Sequence, residues 1–420
     1  MAQRAYPHVL IIGAGLSGLT LAQVLRKEGV SFEIFERDET ENARSQGWAI
    51  ALHGPVLADL KASMPEDIGF IDQTNHLIPF QQLPAQFVFY DINKPDMRVG
   101  VNDDDSGQIV RANRQRLRDW LRQFIPVQYN KRVVSVDDVG DQVTVHFQDG
   151  SSASGDILVG AEGTRSIVRK HILHGQDVLK PLPVGSLVGE IELTGAEFAR
   201  QLELGHSAYI VMGDTKDQCS MFAALNKVSP DGNAGYYYFI LHWVDEQAAR
   251  STESDPYWTV HATGEELAAF ARERTKSYPD HLRVLVDKVT VERYRRPGIV
   301  LQGVELNENQ LPPGKITLIG DAAHSMTPFR GEAGVCALTD ALSLGHTITQ
   351  IRDLRAKDAE FGELMKAYRD DMLKRAAKSI RVSNPVLGDY ARDPNFKLVT
   401  CGKEVVPLPD EVIALEKLAK

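Results

Sequence analysis

The sequence predicts an α/β protein in which one mostly parallel, Rossmann-type sheet is assembled from three distant segments. A β-rich region is interleaved between them, and helices close the C-terminal part. Three observations predict this. The apolar run His8–Ile12 leads into Gly13-Ala14-Gly15-Leu16-Ser17-Gly18, then helical spacing to about Glu28 and a second strand over 31–36. Short apolar strands recur over 156–160 and 315–320, each running into a turn with glycine and an acid, Gly160-Ala161-Glu162-Gly163 and Gly320-Asp321. Between them, stretches such as 86–90 and 236–243 can be read with the period of two that strands require.

A chain of 420 residues, 43% hydrophobic and 25% charged, can bury a sizeable core. Its formal net charge of -10 argues against nucleic acid as a partner, since such proteins usually carry a basic footprint. An anionic ligand must therefore be met by local Arg, Lys or helix N-termini. Cys219, Cys336 and Cys401 are odd in number and far apart, a poor disulfide framework that fits a reducing compartment. No pair has metal-ligand spacing and the histidines are scattered, so no metal site is expected. The N-terminus runs into a strand rather than a signal-peptide core, and no stretch is long enough to span a bilayer. The expectation is a soluble, cytoplasmic protein that takes a small-molecule substrate, with its oligomeric state open.

Taken in order, the segments divide the chain. Residues 1–75, 111–180 and 296–355 carry the nucleotide-type elements, including a helix from Arg114 to Phe124 and a hairpin around Val139-Gly140-Asp141. Residues 76–110 and 181–295 carry the β-rich region, with one helix near 264–277. A helical segment, 356–420, contains a charged amphipathic helix over about 361–381 and a Pro-rich tail from Asn384.

The first glycine segment has a physical job. Gly13, Gly15 and Gly18 permit the tight turn, the close backbone approach of a pyrophosphate, and tight helix packing. Ser17 lies in the first helical turn, where backbone N–H groups are unpaired. Glu36, followed by Arg37, closes the second strand where an acid can take a ribose hydroxyl. This pattern alone does not choose NAD over FAD. The choice comes from Ile316-Thr317-Leu318-Ile319-Gly320-Asp321-Ala322-Ala323-His324, followed by Pro328 and Arg330-Gly331-Glu332-Ala333-Gly334. Asp321 can accept from a polyol hydroxyl. The start of the helix after Gly334 can face a flavin pyrimidine edge and favour the negative charge that develops there.

The three segments, in this order and spacing, resemble the class A flavoprotein monooxygenases of the para-hydroxybenzoate hydroxylase fold, over nearly the whole chain. The stretch Pro328-Phe329-Arg330-Gly331-Glu332 is most similar to fungal members that modify secondary metabolites. The resemblance implies that the first glycine motif binds the FAD pyrophosphate, that Asp321 binds the ribitol, and that the middle motif touches FAD and the nicotinamide cofactor. Arg44, in Asn42-Ala43-Arg44-Ser45-Gln46-Gly47, and Arg114 match two family arginines near the FAD. The implied reaction uses NADPH or NADH and O2: reduced FAD forms a C4a-hydroperoxide, which passes one oxygen atom to a small organic, aromatic or natural-product substrate.

The chain departs from the family pattern in the middle and third segments. Glu162 stands where Asp is usual, which is expected to shift nicotinamide contact. The family's Gly-x-Asn is Ala333-Gly334-Val335, which leaves the backbone N–H groups of Gly334 and Val335 to meet the flavin carbonyl. This keeps open an FAD-dependent oxidoreductase or cyclase that inserts no oxygen. A non-enzymatic flavin-binding or scaffold protein is the rival from another class. His324 is expected in a packing or turn role and Cys336 as a small apolar filler. Tyr236, Tyr238, Ile240 and His242 share one strand face, and either that face or its opposite could line a substrate pocket.

Overall fold

The structure, a computed structural model, describes residues 6–44, 47–80, 83–102, 109–213, 219–383 and 403–404. Ser45 and Gln46 of the Arg44 segment, Cys401 and most of the tail from Asn384 lie outside these residues. The chain opens with β1 (His8–Ile12), α1 (Leu16–Glu28) and β2 (Ser31–Phe35). It continues through β3 (Ile50–His53), α2 (Pro55–Ser63), β4 (Gln86–Asp91), β5 (Lys94–Asn102) and β6 (Ile109–Ala112). Next come α3 (Arg114–Arg122), β7 (Val127–Gln128), β8 (Val133–Val139), β9 (Gln142–Phe147), β10 (Ser152–Gly155), β11 (Ile157–Gly160) and α4 (Ile167–Ile172).

The next stretch runs β12 (Lys180–Pro181), β13 (Val184–Thr194), α5 (Gly195–Leu204), β14 (Ala208–Met212), β15 (Cys219–Val228) and β16 (Ala234–Val244), then α6 (Gly264–Thr275) and α7 (Val284–Lys288). It holds the three longest strands, β13, β15 and β16. The chain closes with β17 (Gln302–Gly303), β18 (Ile316–Leu318), α8 (Asp321–His324), α9 (Glu332–Leu354), α10 (Asp358–Ser383) and β19 (Lys403–Glu404).

Two sheets organise these elements. A five-stranded sheet runs β18-β11-β1-β2-β7, and every pairing in it is parallel. β1, β11 and β18 are short apolar runs buried on both faces, as a covered parallel sheet requires: β1 reads His-Val-Leu-Ile-Ile and is buried throughout, whereas β2 and β7 at the other side are partly exposed. A seven-stranded sheet runs β13-β16-β15-β14-β4-β5-β19, antiparallel except where β14 lies parallel to β4. That pairing joins strands more than 100 residues apart, and no local pattern announces it.

Each sheet has its own core. One cluster gathers the nucleotide-type strands with α1, α9 and part of α10. The other packs one face of the large sheet, including Tyr237, Phe239, Leu241 and Trp243, against residues of α5, α6 and α7. Alternation along β16 therefore decides the two faces left open by the sequence. The odd-numbered set is ordinary sheet packing. The even-numbered set, Tyr238, Ile240 and His242, looks the other way, towards β3, β6 and the start of α9.

Candidate cofactor and substrate site

Neighbouring strands bring the three glycine segments together. β18, β11 and β1 are adjacent, so residues near 320, 161 and 13 meet at their carboxyl ends, where open α/β sheets bind ligands. Backbone bonds lock the junctions: Ala161 N–H donates to Ile12 O at 2.7 Å, and Ile319 N–H to Gly160 O at 3.0 Å.

The first glycines divide their work. Gly13 has φ +106°, and a Cβ there would lie 2.5 Å from Ala161 O. A Cβ on Gly18 would lie 2.0 Å from Gly13 O. Both positions are closed by the protein itself. Gly15 caps α1, no side chain fills the helix end, and a Cβ added there would meet nothing within 4 Å. That open space lies at the unpaired N–H groups of a helix start, which fits a pyrophosphate. Ser17 lies beside the third segment, its Oγ 3.2 Å from where a Cβ on Gly320 would be. Glu36 is buried; its Oε2 accepts from Ala14 N–H at 2.8 Å and its Oε1 from Asp38 N–H at 3.1 Å. It shapes the loop as well as closing β2. Buried Arg118 donates to Ala14 O and Glu41 O. Arg37 is exposed, and no contact among the described residues draws it to the loop.

Asp321, Arg114 and Arg44 come into one electrostatic neighbourhood. Burial raises the Asp321 pKa, opposed by the charges of Arg114 and His324. Burial lowers the Arg114 pKa, against the pull of Asp321, with Arg44 and Arg118 adding repulsion. Arg114 is exposed by surface area yet surrounded by protein, as a side chain lining a cleft is. Gly47 approaches its guanidinium, and Arg44 pairs with Asp38 at 2.7 Å.

Beneath Asp321 lies a buried charge cluster that sequence reasoning missed. Asp340 on α9 is fully buried and accepts from Gly320 N–H at 3.0 Å, from Arg375 at 3.0 Å, and pairs with His324 at 2.5 Å. Burial alone would lower the His324 pKa, but Asp340 outweighs it and the pKa is raised. Burial would raise the Asp340 pKa, and His324 with Arg375 lowers it. His324 is thus more than a turn residue, since it fixes the Gly320-Asp321 turn to α9. The available signal was a single acid inside the apolar run Val335-Cys336-Ala337-Leu338-Thr339-Asp340-Ala341-Leu342.

The start of α9 revises one expectation. The helix begins at Glu332 with Gly331 (φ +68°) as its N-cap, rather than after Gly334. Gly334 and Val335 therefore lie inside the first turn. In an α-helix the N–H of the fourth residue is the first to bond back to the cap, so Val335 N–H is engaged and the free donors are Glu332, Ala333 and Gly334. Val335 is half-buried and packs on the nucleotide-side core, and a Cβ on Gly334 would touch Ile50 at 3.4 Å. Cys336 is buried, hydrogen-bonded to Ser379 at 3.2 Å, and burial raises its pKa. It is no activated thiol.

The middle segment spends its polar groups on itself. Glu162 accepts from Ser166 Oγ at 2.7 Å and from the N–H groups of Ile167 and Val168 at 3.1 and 3.0 Å. The longer acid folds back to cap α4 rather than reaching outward. Buried Arg169 donates to Ala322 O and Thr164 O, bracing this segment against the backbone of α8.

Opposite the α9 start stands an aromatic wall. Trp48 stacks on Tyr238 at 5.0 Å, and its Nε1 donates to Glu190 at 2.8 Å. Phe329, in the turn before Gly331, stacks on His242 at 4.4 Å. Burial lowers the His242 pKa to about 4, so the ring is neutral near pH 7, with Ser220 Oγ 2.7 Å from Nε2.

The residues present fit FAD. Gly15 and the α1 start suit the pyrophosphate, Asp321 a ribitol hydroxyl, and the free N–H groups of the α9 start a flavin edge. Among the described residues no His, Cys, Asp or Glu group could hold a metal ion, and no helix is long and apolar enough to cross a membrane.

A family model described as an FAD binding domain matches residues 6–52 and 114–383. The FAD-dependent monooxygenase thnD of Trichoderma harzianum is 41% identical over 416 residues, covering 97% of this chain and 100% of the relative. The FAD-dependent monooxygenase dbaB of Emericella nidulans is 28% identical, covering 81% and 86%. In fold, the chain is similar to 2,6-dihydroxypyridine-3-hydroxylase of Arthrobacter nicotinovorans, with TM-score 0.69, 18% identity and coverage of 97% and 100%. It is similar too to Klebsiella pneumoniae HpxO solved with FAD and uric acid, with TM-score 0.69, 19% identity and coverage of 95% and 92%. Sequence and geometry agree, and the chain belongs to the FAD-dependent monooxygenases.

Proposed function

We propose that this enzyme couples oxidation of NADPH or NADH to insertion of one oxygen atom from O2 into an aromatic ring of a small natural-product substrate. The balance is substrate C–H plus O2, NAD(P)H and H+, giving substrate C–OH, NAD(P)+ and water. FAD, when bound, supplies the redox chemistry that activates O2. In this reading, residues 1–75, 111–180 and 296–355 hold the cofactor, and 76–110 with 181–295 receive the substrate.

The observation that carries the reading is the juxtaposition of the α9 start with the Tyr238-Ile240-His242 face. Gly334 lies against Ile50, and Tyr238 Oη reaches Ala49 O at 3.4 Å. On the other side Phe329 lies on His242. Apolar and aromatic walls exclude water and orient a flat ring, as an oxygen-transfer pocket requires. The solved neighbours that bind uric acid or are named for hydroxylating dihydroxypyridine point to the same kind of electron-rich ring.

The test is a substrate screen on the FAD-loaded protein. NAD(P)H oxidation is followed by absorbance, and oxygen incorporation by mass spectrometry under ¹⁸O2. One ¹⁸O atom per product is expected. Product formed equally well without O2 would favour the oxidoreductase or cyclase alternative.

A further inference from the structure

Arg111, on β6, is 5% exposed, yet no carboxylate pairs with it among the described residues. Its Nη2 donates to Tyr238 Oη at 2.9 Å, and its Nε is buried without a partner. The guanidinium lies over the Phe222 ring, 5.7 Å from the centroid. Its titratable neighbour His76 has its pKa driven well down by burial and by Arg111 itself, so the ring is neutral and offers the guanidinium no counter-charge. Buried arginines in folded proteins are normally matched by an acid, because an unpaired buried charge is costly. The other buried arginines here are better served: Arg118 and Arg169 each donate to two backbone carbonyls, and Arg369 to Asp370 and two carbonyls. Arg111 alone among these four ends on a neutral phenol.

Its position says what the missing partner is. β6 pairs antiparallel with β3, with Arg111 opposite Ala51, and Ile50 beside it touches the Gly334 position at the α9 start. Tyr238 is the residue on which Trp48 stacks. The unmatched charge therefore sits on the substrate side of the cofactor, one strand from the α9 start and away from the pyrophosphate loop at Gly15. A planar guanidinium favours a planar carboxylate, and the rings of Phe222, Tyr238 and Trp48 favour a flat aromatic body attached to it.

We propose that Arg111 and Tyr238 form an anion-binding subsite that takes a carboxylate carried on the aromatic substrate. The inference rests on reading the Tyr238-Ile240-His242 face as the substrate wall. Arg111 holds the acid, Tyr238 holds Arg111 in place, and Trp48 lies over the ring system.

The test is binding without turnover. FAD-loaded protein at pH 7, with no NAD(P)H, is titrated with benzoate, salicylate and 2-naphthoate, each against its own amide. Changes in the flavin absorption band and in tryptophan fluorescence report binding. At least one acid is expected to bind about tenfold more tightly than its amide, the scale of one charge-assisted contact. Arg111→Gln abolishes the preference while FAD content stays at the wild-type level. Tyr238→Phe keeps the charge and loosens it, so the preference shrinks without vanishing. Equal binding of acid and amide, no binding of either, or a preference that survives Arg111→Gln overturns the inference. Should Arg111→Gln fail to fold, the wild-type titration and Tyr238→Phe decide. A protein that prefers acids but inserts no oxygen sinks the proposed reaction alone. One that oxygenates only neutral rings and shows no preference sinks this subsite alone.

Discussion

After β1, a Cβ on Gly15 at the helix start would enter open space, whereas after β11 the helix start is occupied by the side chains of Ser166 and Glu162. Both belong to strand-turn-helix units with glycine and an acid, lying side by side in one parallel sheet. In the outer units the helix starts carry no side-chain cap, and the space before them is open at Gly15 and Gly331. In the middle unit, Ser166 and Glu162 fill the helix start and Arg169 is buried in backbone contacts. Similar local sequence thus yields two sites that can receive a ligand and one brace between them. A glycine motif announces a turn; whether that turn binds depends on what its neighbours leave vacant.

The largest expected effect breaks the comparison within one loop. Gly15→Val should leave the fold intact, because a Cβ there meets nothing within 4 Å, but occupies the space of the pyrophosphate. Purified protein should be colourless, with its thermal transition close to that of the FAD-free wild type. Gly18→Val should not fold at all, since even a Cβ would lie 2.0 Å from Gly13 O. If Gly15→Val retains full FAD occupancy by absorbance, the first segment is misassigned.

Next in size is the anchor beneath the third unit. Asp340→Ala strands the buried His324, while the half-buried Arg375 keeps Asp371; removal of one partner of a buried charge pair costs about 3–5 kcal/mol. Urea unfolding measures this. Its pH dependence follows from the two shifts. The raised His324 pKa contributes stability that is present below the ordinary histidine pKa and lost as pH rises through the raised value. The lowered Asp340 pKa contributes stability present above the ordinary carboxylate pKa and lost as pH falls through the lowered value. The advantage of wild type over His324→Gln should therefore be greatest between about pH 4 and 6.5 and decline on the alkaline side. A flat difference from pH 6 to 9 would show that the pair does not titrate as a unit.

A third comparison separates binding from bracing. Asp321→Ala removes a carboxylate expected to accept from the ribitol, worth roughly 1.5–3 kcal/mol, so FAD affinity falls by about ten- to a hundredfold. Glu162→Ala removes a helix cap instead and should cost about 1 kcal/mol of stability, with the FAD dissociation constant nearly unchanged. Equilibrium titration of both variants checks the pair. If Glu162→Ala weakens FAD as much as Asp321→Ala, the middle unit binds after all.

What was legible in the sequence was local. The strand-turn-helix segments, the parallel sheet they imply and the alternation along β16 are all written in short windows of residues. The resemblance added that Arg44, Arg114 and Asp321 belong to one place, and the structure does bring them together. What was illegible depends on which groups the fold brings face to face. Arg111 meets Tyr238 127 residues away, Asp340 meets Gly320 and Arg375 20 and 35 residues away on separate elements, and the Glu162 carboxylate is taken up by the start of the helix that follows it. The start of α9 was misjudged by three residues because Gly331 and Gly334 are both credible caps. The left-handed conformation of Gly331 settles the choice.

The smallest expected effect lies at Val335, where the family's asparagine is missing. The concern was that a valine removes a side-chain donor from the flavin edge. With α9 beginning at Glu332, the groups aimed out of the helix start are the N–H donors of Glu332, Ala333 and Gly334, while Val335 N–H closes the first turn. The Val335 side chain packs on the nucleotide-side core rather than standing free. These backbone donors, with the helix dipole behind them, already favour negative charge at that edge. An asparagine would add at most one neutral hydrogen bond, worth about 0.5–1.5 kcal/mol, and would give up some apolar contact. Val335→Asn should therefore change the rate at which O2 reoxidises the reduced enzyme, and the product formed per NAD(P)H consumed, by no more than about tenfold. Rapid mixing of anaerobically reduced protein with O2, followed by product analysis, measures both. A wild type that consumes NAD(P)H without product, converted by Val335→Asn into an efficient oxygenating enzyme, would show that the side chain and not the helix start governs oxygen transfer.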